Sequence, residues 1–398
     1  MFLTRKEEEV LKGDYGPANA LAMKLLVALG EVFEAERLIK IKSAQVSGIS
    51  YKNIGDIGLG FIEDLSRMGA KAKAHTTINP AGMDLKRWRE LGIGEAFARK
   101  QLQIISAFDK MGIETSCTCT PYLTGNKPRR GEHVAWAESS AVVFVNSVLG
   151  AKTNREGGPL ALASAITGLT PLYGYHLETE RKPTHLIKVE MPLSGGLEYS
   201  ALGYTVGKTS GKCVPFFVGL KKPTLEELKA LGAGLAASGS VALAHIDKVT
   251  PEGRKISEKE KAHLDKFPIE ESDIQETIQR LSTEDKFDLV CLGCPHCSLE
   301  ELKKAAKLLS GKKVKKRLWL FTSEYVRKLA TKLGYVKKIE KTGALVLNDT
   351  CMVVSPIEEL GVNGVVVNSC KAAHYIPSTC GLPVKLKSFE ESIREALI

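Results

Sequence analysis

The chain has 398 residues, 43% hydrophobic and 26% charged, proportions of a globular protein long enough for two or three domains. Its formal charge of +10 comes without a basic arm, zinc-finger spacing or aromatic RNA-binding signature, and its lysines sit mostly beside glutamates in helical patterns, so the charge reads first as a Lys/Glu-rich surface, with an anionic small substrate as a modest addition. No run of about 18 apolar residues suggests a membrane span and the first ten residues are too charged for a signal peptide, so the expected compartment is the cytoplasm.

In chain order, residues 3–38 read as two helices: Thr4 with Glu7 makes a capping box, and Gly13 to Pro17 interrupts the pattern. Residues 38–44, 70–76 and the stretch ending near Thr115 are expected strands, and alternate with helical patterns. Residues 195–239 are glycine-rich, with strands expected at 214–220 and 241–246. Gly232, Gly234 and Gly239 predict turns and close packing, because no phosphate-binding fingerprint has the right spacing. Residues 247–272 read as a connector and the start of a helix. In the last third, strands are expected at 287–292, 317–321, 344–347 and 362–367, with helices at 299–309 and 324–333. The alternation predicts an α/β protein of several layers with mainly parallel sheets, divided into regions 1–120, 121–270 and 271–398.

Nine cysteines, an odd number without a secretory signal, point to thiols kept for metal, catalysis or packing rather than to disulfides. Cys291, Cys294 and Cys297 lie in Cys-Leu-Gly-Cys-Pro-His-Cys, a spacing that iron–sulfur and zinc sites both use. Cys291 falls within an expected strand, where alternation can turn it into the core, and Cys297 starts a helix, where capping or packing stands beside ligation, so the three need not all serve. Cys294 stands on a tight turn between Gly293 and Pro295 and is the first candidate ligand. Cys117 and Cys119, two apart on an extended segment, are expected to face the same way. Cys351 follows another strand end, and ligands of open α/β sheets collect beyond such ends. Spacing alone leaves iron–sulfur and zinc both open.

The stretches Cys119-Thr120-Pro121-Tyr122, Gly293-Cys294-Pro295-His296, Asp349-Thr350-Cys351 and Asn368-Ser369-Cys370-Lys371-Ala372-Ala373-His374-Tyr375 resemble the aconitase X family. The N-terminal Leu3-Thr4 with Gly13 and Gly16, and Gly48-Ile49-Ser50-Tyr51, are similar too, so the likeness runs over nearly the whole chain. It implies an aconitase-like arrangement of α/β layers around a central cluster cleft. It also implies a cluster, most simply 4Fe-4S with one labile iron, on Cys119, Cys294 and Cys351. Cys370 departs from the pattern, where glycine is expected in many relatives, and a spare thiol or alternative ligand stays open there.

The resemblance further implies a phosphorylated hydroxy-carboxylate as substrate: (R)-5-phosphomevalonate, dehydrated to trans-anhydromevalonate 5-phosphate on the modified archaeal mevalonate route to isoprenoids. Single-chain relatives carry an extra swivelling domain. This chain ends at Ile398 without room for it, so the base, a serine in the superfamily, is expected on a small swivelling-domain partner. No membrane or nucleic acid is expected as partner. The rival readings are dehydration of another hydroxy acid, such as cis-3-hydroxy-L-proline, and a non-enzymatic metal-binding scaffold.

Candidate substrate contacts are Lys371 for an anionic group, Gly48-Ile49-Ser50 for amides and a hydroxyl, and Asn79-Pro80 for a side-chain amide. Ser139 and Ser140, at a helix start, suit an anion or simply a cap. The run Thr153-Asn154-Arg155-Glu156-Gly157-Gly158-Pro159 is a second-rank anion site. His296 and His374 flank ligand loops, where bonds to sulfur or substrate and plain structural roles are both open.

Overall fold

The Glu7 amide donates to the Thr4 hydroxyl and the Glu7 carboxylate accepts from the Thr4 amide, so the helix Arg5–Lys12 starts where its capping box places it. Gly13, at φ +105°, ends that helix before Pro17–Val32 begins. These open a computed structural model that describes residues 1–210, 213–283 and 286–398.

Parallel sheets carry the architecture. His75–Ile78, Ser43–Val46 and Ala135–Trp136 form one. A second runs His245–Ile246, Pro215–Val218, His185–Val189, Asp265–Ile269. The third runs Leu345–Asn348, Arg317–Thr322, Leu289–Leu292, Val365–Val367, Val384–Leu386. Leu38–Lys40 pairs antiparallel with Leu169–Pro171. The α/β reading with mainly parallel sheets holds.

Several local expectations do not. Residues 38–44 are two strands rather than one, because Ile41 donates to Gly168 O and Lys42 to His133 O, which moves the chain from one sheet to the next. The strand expected at 70–76 begins only at His75, since the amides of Ala72 and Lys73 go to Met111 and Ala165. Near Thr115 there is a lone bridge, Thr77 to Glu114. The connector 247–272 hides the strand Asp265–Ile269, an edge strand exposed at four of its five positions and carrying Pro268. An exposed edge has no buried face to write an alternating pattern.

Gly232, Gly234 and Gly239 lie on the helix Leu225–Gly239, where close packing, not turning, accounts for them. This helix crosses Gly195–Ser210 at backbone contact: a Cβ on Gly234 would stand 2.2 Å from Ser200 O, and one on Gly239 1.9 Å from Gly207 O. Alanine is the better helix former by about 1 kcal/mol, but here its methyl meets a carbonyl that moves only with its helix. Overpacking of that kind costs roughly 1–3 kcal/mol. Gly234→Ala is therefore expected to lower the thermal midpoint. A raised or unchanged midpoint would show that the helices separate freely.

Candidate cluster and substrate site

Three thiols reach one place from three chain segments beside strand ends. Leu289–Leu292 stops at Gly293, whose φ is +105° and whose Cβ would stand 2.3 Å from Phe321 O, so only glycine makes this turn. It delivers Cys294, joined to Pro295 by a cis peptide. Leu345–Asn348 stops at Asp349, held at φ +67° with its carboxylate accepting from Asn348 Nδ2 at 2.5 Å, and Cys351 follows. Thr118 donates its amide to Ile78 O at the end of His75–Ile78, which sets Cys119.

The thiols of Cys119, Cys294 and Cys351 act on one another in all three pairs, and burial pushes each up to about 12. They keep 7%, 6% and 8% of their surface, whereas Cys117, Cys291 and Cys370 keep none. Donors converge on them: the His296 amide on Cys119 Sγ at 3.2 Å, the Ser369 side chain on Cys294, and the Val353 and Val354 amides on Cys351. Such donors stabilise anionic sulfur, and metal binding is what deprotonates a buried thiol. Among the described residues no three His, Cys, Asp or Glu side chains close around a single metal ion. Thiolates on one zinc would stand about 3.8 Å apart, so this arrangement suits a multi-iron cluster better.

Cys117, Cys291, Cys297 and Cys370 have other surroundings. Cys117 has φ +42°, a left-handed kink that sends it into the core with Ile78 and Ala81, so it does not face the same way as Cys119. Cys291 is part of the sheet core and Cys297 packs under the helix Leu299–Leu308. Cys370 begins the helix Cys370–Cys380; its amide donates to Ser200 Oγ at 3.0 Å and its thiol shares the same hydroxyl.

Lys371, on that helix, is buried and ion-paired with Glu138, and it donates to Ser140 Oγ at 3.2 Å. Burial works against its ammonium, but Glu138, Cys294 and Cys119 outweigh burial and raise its pKa. Burial likewise opposes the Glu138 carboxylate, and Lys371, the Ala141 amide and Ser140 reverse the sign and lower it. Glu138 caps the helix Ser139–Phe144, accepting from Ala141 N at 2.5 Å, Ser140 Oγ at 2.7 Å and Ser139 Oγ at 3.4 Å. The Glu138 amide donates to Gln45 Oε1 at 2.9 Å, and Gln45 Nε2 donates to Asn79 Oδ1 at 2.7 Å. One network thus joins Asn79, Ser139, Ser140 and Lys371 through Gln45 and Glu138.

Ser50 caps no amide of the helix Tyr51–Arg67; its hydroxyl donates to Val354 O at 2.7 Å, three residues past Cys351. Gly48 has φ +77°, Ile49 O accepts from Gln101, and Pro80 is buried beside Ala81, whose amide donates to Asp349 O. These segments brace the Cys351 loop. Arg155 points elsewhere, donating to Ala236 O at 3.2 Å. Neither Gln45 nor Glu138 was singled out by sequence reasoning. Only the acid directly ahead of Ser139-Ser140 offered a signal, as a helix cap.

A cleft of about 1330 Å³ opens onto Cys294, Pro295, Asn368 and Ser369, with Lys229, Glu226 and Glu301 on its wall. Cys119, Cys351 and Lys371 are not part of its lining.

Family models for the aconitase X first, second and third domains match residues 1–179, 183–279 and 287–398. The phosphomevalonate dehydratase large subunit of Methanocaldococcus jannaschii is 52% identical over 99% of this chain and 100% of its own. The cis-3-hydroxy-L-proline dehydratase of Pseudomonas aeruginosa is 33% identical over 98% of this chain but 69% of its own. The crystal structure of Thermococcus kodakaraensis aconitase X in its holo-form superposes with a TM-score of 0.93 at 45% identity, covering 100% of both chains.

Proposed function

We propose that this chain, which belongs to the aconitase X family, is the large subunit of a phosphomevalonate dehydratase, a hydro-lyase that turns (R)-5-phosphomevalonate into trans-anhydromevalonate 5-phosphate. Family membership implies an iron–sulfur cluster. In this reading Cys119, Cys294 and Cys351 hold it as 4Fe-4S with one labile iron, and it supplies a Lewis acid for the departing hydroxyl. The supporting observation is the meeting of three mutually interacting thiols with a buried ammonium at strand ends.

Lys371 holds the substrate's carboxylate. Its ammonium has three N–H groups; Glu138 and Ser140 take two, and the third is left for an anionic oxygen. The amide nitrogen of Asn79, whose oxygen is already bonded to Gln45, offers a second donor.

A small subunit of swivelling-domain type brings the base. The relatives' name, large subunit, agrees with a second chain. Closing the cleft excludes water and places the base over the proton beside the carboxylate, and both act on the rate of proton removal. No helix among the described residues is long and apolar enough to cross a membrane, and we place the enzyme in the cytoplasm. Anaerobic assay of the purified chain with (R)-5-phosphomevalonate is expected to show turnover only when the small subunit is added. Full turnover by the chain alone would put the base within these 398 residues and overturn the two-subunit reading.

A further inference from the structure

We infer that His296 is the positioning residue that locks the three ligand loops into one rigid frame and thereby sets the hold on iron and the potential of the cluster. Every polar atom of this fully buried residue is committed, and to different parts of the chain. Its amide donates to Cys119 Sγ at 3.2 Å, and its carbonyl accepts from Lys229 Nζ at 3.0 Å. Its ring meets Thr118 Oγ1 through Nδ1 at 3.0 Å and Thr350 O through Nε2 at 2.8 Å. Thr118 precedes Cys119, Thr350 precedes Cys351, and His296 itself stands two residues after Cys294.

The partners fix the tautomer. Thr350 O is a carbonyl and only accepts, so Nε2 carries the proton. With that proton on Nε2, Nδ1 is the accepting nitrogen of the neutral ring and the Thr118 hydroxyl donates to it. Thr118 Oγ1 is then free to accept from the Thr120 amide at 3.1 Å and the Thr120 hydroxyl at 3.2 Å. The bonds run one way, from Thr120 through Thr118 and His296 to Thr350. Lys229, buried and ion-paired with Glu301, pins the same residue from the cleft wall. Loops that share one keystone cannot part from one another without breaking several buried hydrogen bonds together.

The consequences for the metal follow from the amide on Cys119. An N–H donor to a ligating sulfur stabilises the more negative, reduced state and raises the potential. The ring fixes where that amide points. This inference rests on the cluster reading, and wild-type protein separates the two: a wild-type chain that takes up no iron sinks that reading and this one does not arise.

The test compares wild type with His296→Ala, His296→Gln and Thr118→Val after anaerobic reconstitution. Iron and sulfide per chain, the rate of iron loss to a chelator, and the midpoint potential are read. Outer partners of metal ligands typically matter by roughly 10–100-fold, so iron loss from His296→Ala is expected to be faster by about that factor, with the potential shifted negative. His296→Gln, whose Nε2 still donates to Thr350 O, recovers part of both. Thr118→Val, which removes only the hydroxyl, lies between and keeps the inference testable if the alanine variant does not fold. Wild-type iron retention and wild-type potential in Thr118→Val and in any folded His296 variant would overturn it.

Discussion

Cys294→Ser, reconstituted without oxygen, is expected to hold no intact cluster and to lose at least about a hundredfold in activity, since even outer partners of metal ligands cost 10–100-fold. Cys119→Ser and Cys351→Ser should behave alike. The contrast lies within one motif: Cys291→Ala and Cys297→Ala, three residues to either side, should keep the cluster and lose only packing. Cys370→Ala belongs with these two, because its thiol answers to Ser200. Visible absorption and iron content decide the matter before any assay. A full cluster in Cys294→Ser together with an empty Cys291→Ala would reassign the ligand to the strand.

Lys371→Met should lose both activity and stability, by separable causes. Removing one partner of a buried ion pair costs roughly 3–5 kcal/mol because the other charge is left uncompensated, and Glu138 is that charge. The thermal midpoint therefore falls. The lost contact to substrate, worth about 1.5–3 kcal/mol for a charged hydrogen bond, corresponds to roughly 10–150-fold in turnover efficiency. Adding Glu138→Gln removes the stranded charge and should return most of the midpoint without returning activity. Activity restored in the double variant would mean that Lys371 serves only to neutralise Glu138.

The sequence carried the layers well where both faces of a strand are buried, as at Leu289–Leu292 and Arg317–Thr322, because burial writes a continuous apolar run. It failed at Asp265–Ile269, where the edge is exposed, and at Cys117, where one left-handed residue reverses a facing that period-two alternation predicts. The thiols were legible because glycine and proline mark the Cys294 turn and because the aconitase X motifs single out Cys119 and Cys351. Their supports were not. Gln45, Glu138 and Lys229 act through partners far along the chain, and polar residues that satisfy one another in the interior leave no periodic trace.

The ion pair of Lys371 with Glu138 joins positions 233 residues apart. Contacts of such separation are made late, because the entropy of closing long loops must be met before they stabilise anything. During synthesis Glu138 leaves the ribosome long before its counter-ion exists, and domains form in order behind it. Until residue 371 arrives, the capped helix Ser139–Phe144 holds an unmatched carboxylate that keeps water and resists burial. The loops bearing Cys119 and Cys294 then have no settled wall to close against. The wall of the site is therefore complete only once residue 371 has been made and has folded back on Glu138.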